Sequence, residues 1–474
     1  MVLEDLDGLM GLWSLPETEG SPINGLLKYT DGSIVLTTTE HFMNIADLEV
    51  EKYPIINGFT VNGKKVTFID CGKPSQRINM PGLFEFNYHP SLIIIGAQYK
   101  NGDIKVQSVD AHFFGFEKWI NDRPFQAFQI PDTKEIITQY KMPASYVCDL
   151  NGMKISTNNS CKYHLDPNES LDVKQTTTVT IEFENVMHLE SAINELHNYG
   201  AFLTLCMGTR CILDNINAKN EIDEKIEIIF NHSFDFTPKL KPEFLIDFKD
   251  ISDDYENHLK YWYSKKDELS PIIDYFIEAH NISRVINLQS NFLKMVQALE
   301  SYSRRTRKET LISFEEHTNR IEKILSKHDE GDEKDWLVDV LRTPILNEPS
   351  CTSRISALMA ETSDVLSISK GKLKSLAYKI VVTRNYFTHF NESLKNQILS
   401  DHDVFYATTL LKYVLRIHLF FIMNFDVGYV KQRLGSDSEL LFAIGKLNLA
   451  PEMKMCSVKI EKNESNNQAE QKGV

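Results

Sequence analysis

The 474-residue sequence has no G-x-x-x-x-G-K-[ST] loop, no G-x-G-x-x-G turn, no H-E-x-x-H helix and no G-x-S-x-G elbow. Readings as a P-loop nucleotide hydrolase, a dinucleotide-dependent oxidoreductase, a zincin or an α/β-hydrolase therefore have no support. C-x-x-C is missing too. Seven cysteines (Cys71, Cys148, Cys161, Cys206, Cys211, Cys351 and Cys456) are scattered and odd in number, and the one ligand-like spacing is Cys161-x-x-His164. Reduced structural thiols are expected, with no metal site and no cofactor. Positive charge is short: 51 Lys and Arg stand against 66 Asp and Glu, a net charge of −15. A protein that coats nucleic acid without selectivity is excluded, because phosphate binding runs on excess cations. A small basic site inside an acidic shell is not.

The opening Met1-Val-Leu-Glu-Asp-Leu-Asp is acidic where a signal peptide is basic. The greasiest stretch, 404–425, contains Lys412, Arg416 and His418. Lys412 and Arg416 are one helical turn apart, so they share a face, and the segment reads as an amphipathic core helix with no membrane span. A cytoplasmic chain is expected. Apolar content of 42% and charged content of 25% place it among globular proteins.

What is present divides into two periodicities. Up to about residue 250 the period is two, with hairpin signals at Asp31-Gly32, Asn62-Gly63, Asn101-Gly102 and Asn151-Gly152. These pairs accept the positive φ of a type I′ turn. Val179, Ile181 and Phe183 alternate with polar residues, as in a half-buried strand. A short helix with Leu189, Ile193 and Leu196 on one side follows, then strand-like runs at 201–207 and 225–230. Pro238 and Pro242 punctuate the change. Beyond it the spacing is helical at 253–265, 271–279, 285–305, 314–327, 334–341, 353–365, 372–387 and 404–425. The expected class is α+β. A β-rich, antiparallel, sandwich-like domain spans 1–245, an all-α bundle spans 250–430, and a disordered tail spans 451–474, where apolar content is low.

One segment reverses the chain's sign. No acidic residue lies between Asp364 and Glu392, while Lys370, Lys372, Lys374, Lys379 and Arg384 supply five positive charges. A basic cleft of this kind concentrates a polyanion. Within it Asn385 and His389 are one turn apart and share a face. Arg384 is five residues from His389, roughly 140° around a helix, so the two converge only if the helix ends or the arginine reaches across. In the helix expected from 285, Phe292, Met295, Val296 and Leu299 form a buried stripe with Glu300 at its edge. That carboxylate can orient the histidine or pair with Arg384. Arg304, Arg305, Arg307 and Lys308 follow as a basic cluster.

Arg384-Asn385-Tyr-Phe-Thr-His389 resembles the R-[N/D/H]-x-x-x-H signature of HEPN domains, all-α modules many of which are metal-independent ribonucleases. Tyr261-Trp-Tyr-Ser followed by Gln297-Ala-Leu-Glu300-Ser-Tyr-Ser-Arg304 is similar to the ApeA-like HEPN subfamily, and the preceding β-rich region resembles the N-terminal domain that accompanies it. Ser303 departs from the family's Leu-Glu-x-Tyr-His pattern. The resemblance implies an anti-phage abortive-infection effector that cuts RNA, a tRNA loop being one plausible target. A phage-derived trigger is then expected to act through the N-terminal domain.

The residue chemistry fits independently. Cleavage by RNA's own 2′-hydroxyl needs a base, a cation beside the phosphorane and an acid for the departing 5′-oxygen. His389 suits proton transfer, Arg384 offers a planar fork of donors, and Asn385 can hold the phosphate or fix the imidazole. Glu300 and Tyr386 are expected to support them, and Lys379, Arg304 and Arg305 to contact RNA. One histidine does not easily serve as base and acid in a single step. A homodimer, or a higher homo-oligomer, that joins two Arg384/His389 pairs is therefore expected. The competing reading is a non-catalytic module that binds a nucleotide or a partner, with a β-sandwich for recognition.

Overall fold

The computed structural model describes residues 3–16, 22–42, 52–78, 82, 84–131, 134–231, 240, 243–280 and 287–450. The tail expected at 451–474, the Pro238/Pro242 punctuation and the start of the helix expected from 285 lie outside the described residues.

The first half is strand-rich. Its strands run β1 (Met10–Ser14), β2 (Ile23–Thr30), β3 (Ser33–Thr38), β4 (Lys52–Thr60), β5 (Lys65–Gly72), β6 (Ser75–Ile78), β7 (Phe84–Tyr88), β8 (Leu92–Ile95) and β9 (Lys105–Phe113). After helix α1 (Phe116–Ile120) come β10 (Phe125–Ile130), β11 (Glu135–Tyr140), β12 (Val147–Leu150), β13 (Met153–Asp166) and β14 (Ser170–His188). Helix α2 (Leu189–Met207) precedes β15 (Leu213–Asn220) and β16 (Lys225–Phe230).

Fourteen of these strands form one antiparallel ladder in the order β12-β13-β14-β9-β15-β16-β8-β5-β4-β1-β2-β3-β7-β6, and β10 pairs with β11 apart from it. The ladder folds back on itself. Asn231, just past β16 and 1% exposed, accepts from Ile34 N at 2.6 Å and donates to the Ile34 and Pro90 carbonyls at 2.8 Å each. One buried amide thus ties β3 to strands far away in the sheet order, which gives the half its sandwich-like section. Inside it Trp13 is fully buried against Phe68, with ring centroids 4.8 Å apart. Gly58 on β4 makes room for that indole, since a Cβ there would collide with the ring.

Asp31-Gly32, Asn62-Gly63 and Asn151-Gly152 each join two paired strands. Asn101-Gly102 lies between β8 and β9, which are not neighbours in the sheet, so there it turns a loop. The strand expected at 201–207 is instead the second half of the 19-residue α2. Ala201 to Met207 are all buried, and a continuous apolar run carries no period that separates strand from helix.

The second half is helical: α3 (Phe248–Ile251), α4 (Tyr255–Ser264), α5 (Lys266–Glu278), α6 (Leu288–Thr306), α7 (Phe314–Leu325), α8 (Asp332–Leu341) and α9 (Cys351–Glu361). Then follow α10 (Ser363–Leu366), α11 (Lys370–His389), α12 (Asp401–Ile422), α13 (Val427–Leu434) and α14 (Ser438–Lys446). Helix α12 is long and apolar enough to cross a membrane, yet it is mostly buried as the central helix of the bundle. One continuous core joins β9, β12–β16 and α2 to the helical half, and a second, smaller core around Trp13 and Phe68 lies among β1–β5, β7 and β8. The apolar second half of α2 is the seam of the larger one, with Phe202 against Tyr255 and Trp262. Trp119 donates to the Ile246 carbonyl at 2.7 Å, and Arg433 of α13 donates to the Leu245 carbonyl at 2.9 Å while pairing with Asp247 at 3.2 Å. Fully burying each such large side chain contributes roughly 2–3 kcal/mol, so the halves are fused through shared burial.

Candidate active site

Helices α6 and α11 lie side by side and carry the expected residues. Asn287 caps α6, accepting from Gln289 N at 2.9 Å, and the buried stripe Phe292, Met295, Val296, Leu299 and Tyr302 turns Glu300 to the edge facing α11. Helix α11 starts at Ser369, whose hydroxyl accepts from Lys372 N at 3.4 Å, and buries Leu373, Leu376, Ala377, Ile380, Val381 and Phe387. It stops at His389. Phe390 adopts φ 50, and its N–H closes on the Tyr386 carbonyl at 2.7 Å. A bulky residue in that region is strained, so surrounding contacts hold the stop in place. The buried Thr383 hydroxyl donates to the Lys379 carbonyl at 2.8 Å and accepts from Leu399 N at 2.9 Å, which pins the returning chain against the helix. Tyr386 sets its ring edge-on to Phe390, 5.9 Å away.

Glu300 is the hub. Its carboxylate lies 3.6 Å from the Arg384 guanidinium and 3.3 Å from that of Arg304. Of the two roles open to it, it takes the pairing with Arg384. Arg384 also donates to Asn385 Oδ1 at 3.1 Å, so the arginine and asparagine of the motif act on each other directly. His389 is exposed at the helix end, and among the described residues no hydrogen bond or ion pair engages its imidazole. Lys379 sits on a neighbouring face, where it lines a shallow cavity of about 520 Å³ with Tyr378, Gln397 and Asp403. The two remaining arginines are engaged within the fold. Arg304 pairs with Glu300 and Glu348, and Arg305 donates to the Asp267 and Glu268 carbonyls of α5 at 3.3 and 3.1 Å.

Three residues without a sequence signal complete the network. Glu348 pairs with Arg304 and, at 3.1 Å, with Arg354, which is only 3% exposed. Arg354 reaches Ser303 Oγ at 3.5 Å, so the serine that departs from the expected pattern is fully buried under a guanidinium. A protonatable ring there would meet a fixed positive charge. Cys351, the first residue of α9, lies against Glu300, and burial together with that carboxylate pushes its thiol up to about 12. Glu348 and Arg354 flank a proline loop, and no periodicity marks a loop acid as the partner of a distant arginine. Among the described residues no three His, Cys, Asp or Glu side chains gather as a metal site.

A family model described as ApeA N-terminal domain 1 matches residues 9–262, more than half of the chain. The chain belongs to the ApeA family. The model for the Apea-like HEPN domain matches residues 293–428. No curated protein and no solved structure matches the chain. This ApeA-family chain is thus an anti-phage HEPN protein, and Glu300, Glu348, Arg354, Arg384 and His389 all lie inside the HEPN match.

Proposed function

We propose that this protein is an endoribonuclease of anti-phage defence that cuts RNA through its 2′-hydroxyl without a metal ion, at a site shared by two protomers. The observation that carries the reading is the end of α11. There an exposed imidazole and a half-exposed guanidinium stand one to two turns apart on a helix with no acidic residue.

In this mechanism one His389 removes the 2′-hydroxyl proton, and the 2′-oxygen attacks the adjacent phosphorus. The Arg384 fork takes up the charge that grows on the non-bridging oxygens. The P–O5′ bond breaks, and the partner's His389 returns a proton to the 5′-oxygen. The products are a 2′,3′-cyclic phosphate and a 5′-hydroxyl. Glu300 positions Arg384, and Asn385 limits where that side chain swings. Lys379 and the exposed Tyr378 offer a cation and a ring to a neighbouring nucleotide. An acidic protein with one small basic surface favours RNA that presents an unpaired loop, and a tRNA loop meets that demand.

The test incubates RNA with wild type and with His389→Ala and reads the ends. Cyclic phosphate ends from wild type, unchanged by EDTA, and none from a dimeric, folded His389→Ala are the expected result. Cleavage by the variant, or a plain 3′-hydroxyl from wild type, would contradict it.

A further inference from the structure

Strands β13 and β14 outrun the sheet. Their pairing continues from Met153 and Phe183 out to Asp166 and Ser170, whereas β9 pairs with β14 only as far as Thr178. The segment from 160 to 176 is therefore a two-stranded arm, a form that is marginally stable alone in water. The outer edge of its β14 strand is open. The Thr177 N–H points to that edge, where it donates to the Glu117 carboxylate at 2.9 Å. The Glu184 N–H, of opposite parity, donates to the Gly152 carbonyl on the β13 side at 3.1 Å. By alternation the N–H and C=O groups of Leu171, Val173 and Gln175 face outward, and among the described residues no strand pairs with them. One face of the arm carries Val173 with Tyr163, Leu165 and Leu171, the last three 77%, 57% and 52% exposed. On the other face Lys162 and Lys174 stand directly opposite each other, and no carboxylate lies within 4 Å of either among the described residues. Like charges so placed are destabilising. Asp172, two residues from Lys174 on the same face, has no ion pair there either.

We infer that this edge pairs antiparallel with the same edge of a second copy of the chain, about a two-fold axis through Val173. Val173 then exchanges both backbone bonds with the partner's Val173, and Leu171 does so with the partner's Gln175. Asp172 falls opposite the partner's Lys174, and Lys174 opposite the partner's Asp172, in the narrow pairs where side chains lie closest. Each lysine pair thus gains the carboxylate that its own arm lacks. The charges also fix the register, because a slide of two residues sets Asp172 against the partner's Asp172 or Lys174 against the partner's Lys174. On the apolar face the row of Tyr163 and Val173 continues into the partner's Val173. A lysine on an open edge ordinarily wards off another strand. Here the aspartate two residues before it makes the edge its own complement, which selects a second copy as the occupant. The contact is separate from the α11 site and does not depend on the nuclease reading, so a chain that cuts no RNA can still pass the test.

The experiment is oxidative cross-linking of the full chain, read on a denaturing gel without reductant. Leu171, Asp172, Val173 and Lys174 belong to neither core, so substitutions there leave the fold intact. Val173→Cys places two thiols across the axis on residues whose Cα atoms are about 5.5 Å apart, within disulfide reach, and it gives a cross-linked dimer that wild type does not. Leu171→Cys is more exposed, but it lies four residues, about 14 Å, from its mate and does not cross-link. Adding Asp172→Lys or Lys174→Asp to Val173→Cys sets like charges opposite each other and slows cross-linking about tenfold or more. Mixing those two charge variants restores it, since each chain then meets the opposite sign. A Val173→Cys chain that stays uncoupled, or a Leu171→Cys chain that couples as fast, overturns the paired edge. Charge variants that couple as fast as Val173→Cys alone, or a mixture no faster than its parts, overturn the register.

Discussion

Replacing Glu348 with alanine leaves Arg354 as a buried cation without its carboxylate. Arg354 keeps the Pro349 carbonyl, to which it donates at 3.1 Å, and Ser303 Oγ at 3.5 Å, both neutral. At 3.1 Å the lost attraction has an upper bound of about 5 kcal/mol with an effective dielectric of ~20. Glu348 is itself 32% exposed, so water screens part of that, and roughly 2–3 kcal/mol remains, just below the usual range for breaking a buried pair. For a helical half of this size that shifts the melting temperature down by about 5–10 °C. Circular dichroism at a helix wavelength reads it. The double variant Glu348→Ala/Arg354→Met, which removes the stranded charge and refills its volume, recovers most of the loss. A single variant that melts within about 2 °C of wild type, or a double variant less stable than the single, refutes the reasoning.

The other expectations are briefer. Glu300→Gln removes the second cause of the high Cys351 pKa while burial stays, so alkylation of that thiol at pH 8.5 accelerates several-fold; an unchanged rate detaches Cys351 from the hub. Burial holds His418 near a pKa of about 4, and below its ordinary value the unfolded chain binds a proton that the fold refuses. Stability therefore falls as pH drops from about 6.5 toward 4, by about 2 kcal/mol at pH 5 from this group, and His418→Gln should flatten that slope in melts between pH 7 and 5. Asn231→Ala deletes three buried hydrogen bonds and orphans the Ile34 amide and carbonyl, so it destabilises the strand-rich half by roughly 2–4 kcal/mol in urea unfolding; a loss under about 1 kcal/mol would remove it as the tie across the sheet.

Much of this molecule was readable from local pattern. The two-residue period ends and the helical period begins where the strands give way to helices, because a half-buried sheet and an amphipathic helix impose different repeats on the same apolar residues. The pairing of Glu300 with Arg384 was readable as one of two options, since a carboxylate at the edge of a buried stripe faces whatever helix covers that stripe. Segment 201–207 was not, because every residue in it is buried and total burial erases periodicity. Arg354 and Glu348 were silent for a different reason. A buried ion pair is set by the three-dimensional meeting of a loop and a helix, and nothing in either segment names the other. Ser303 is intelligible only once the guanidinium lying over it is seen.

The most direct test of the shared site is subunit mixing. Wild type is allowed to exchange freely with an equal amount of His389→Ala, and RNA cleavage is measured. If each cut needs the histidines of both protomers, activity per total wild type plus variant falls to about a quarter; if each protomer cuts alone, it falls only to about a half. The account predicts the quarter, and the half contradicts it.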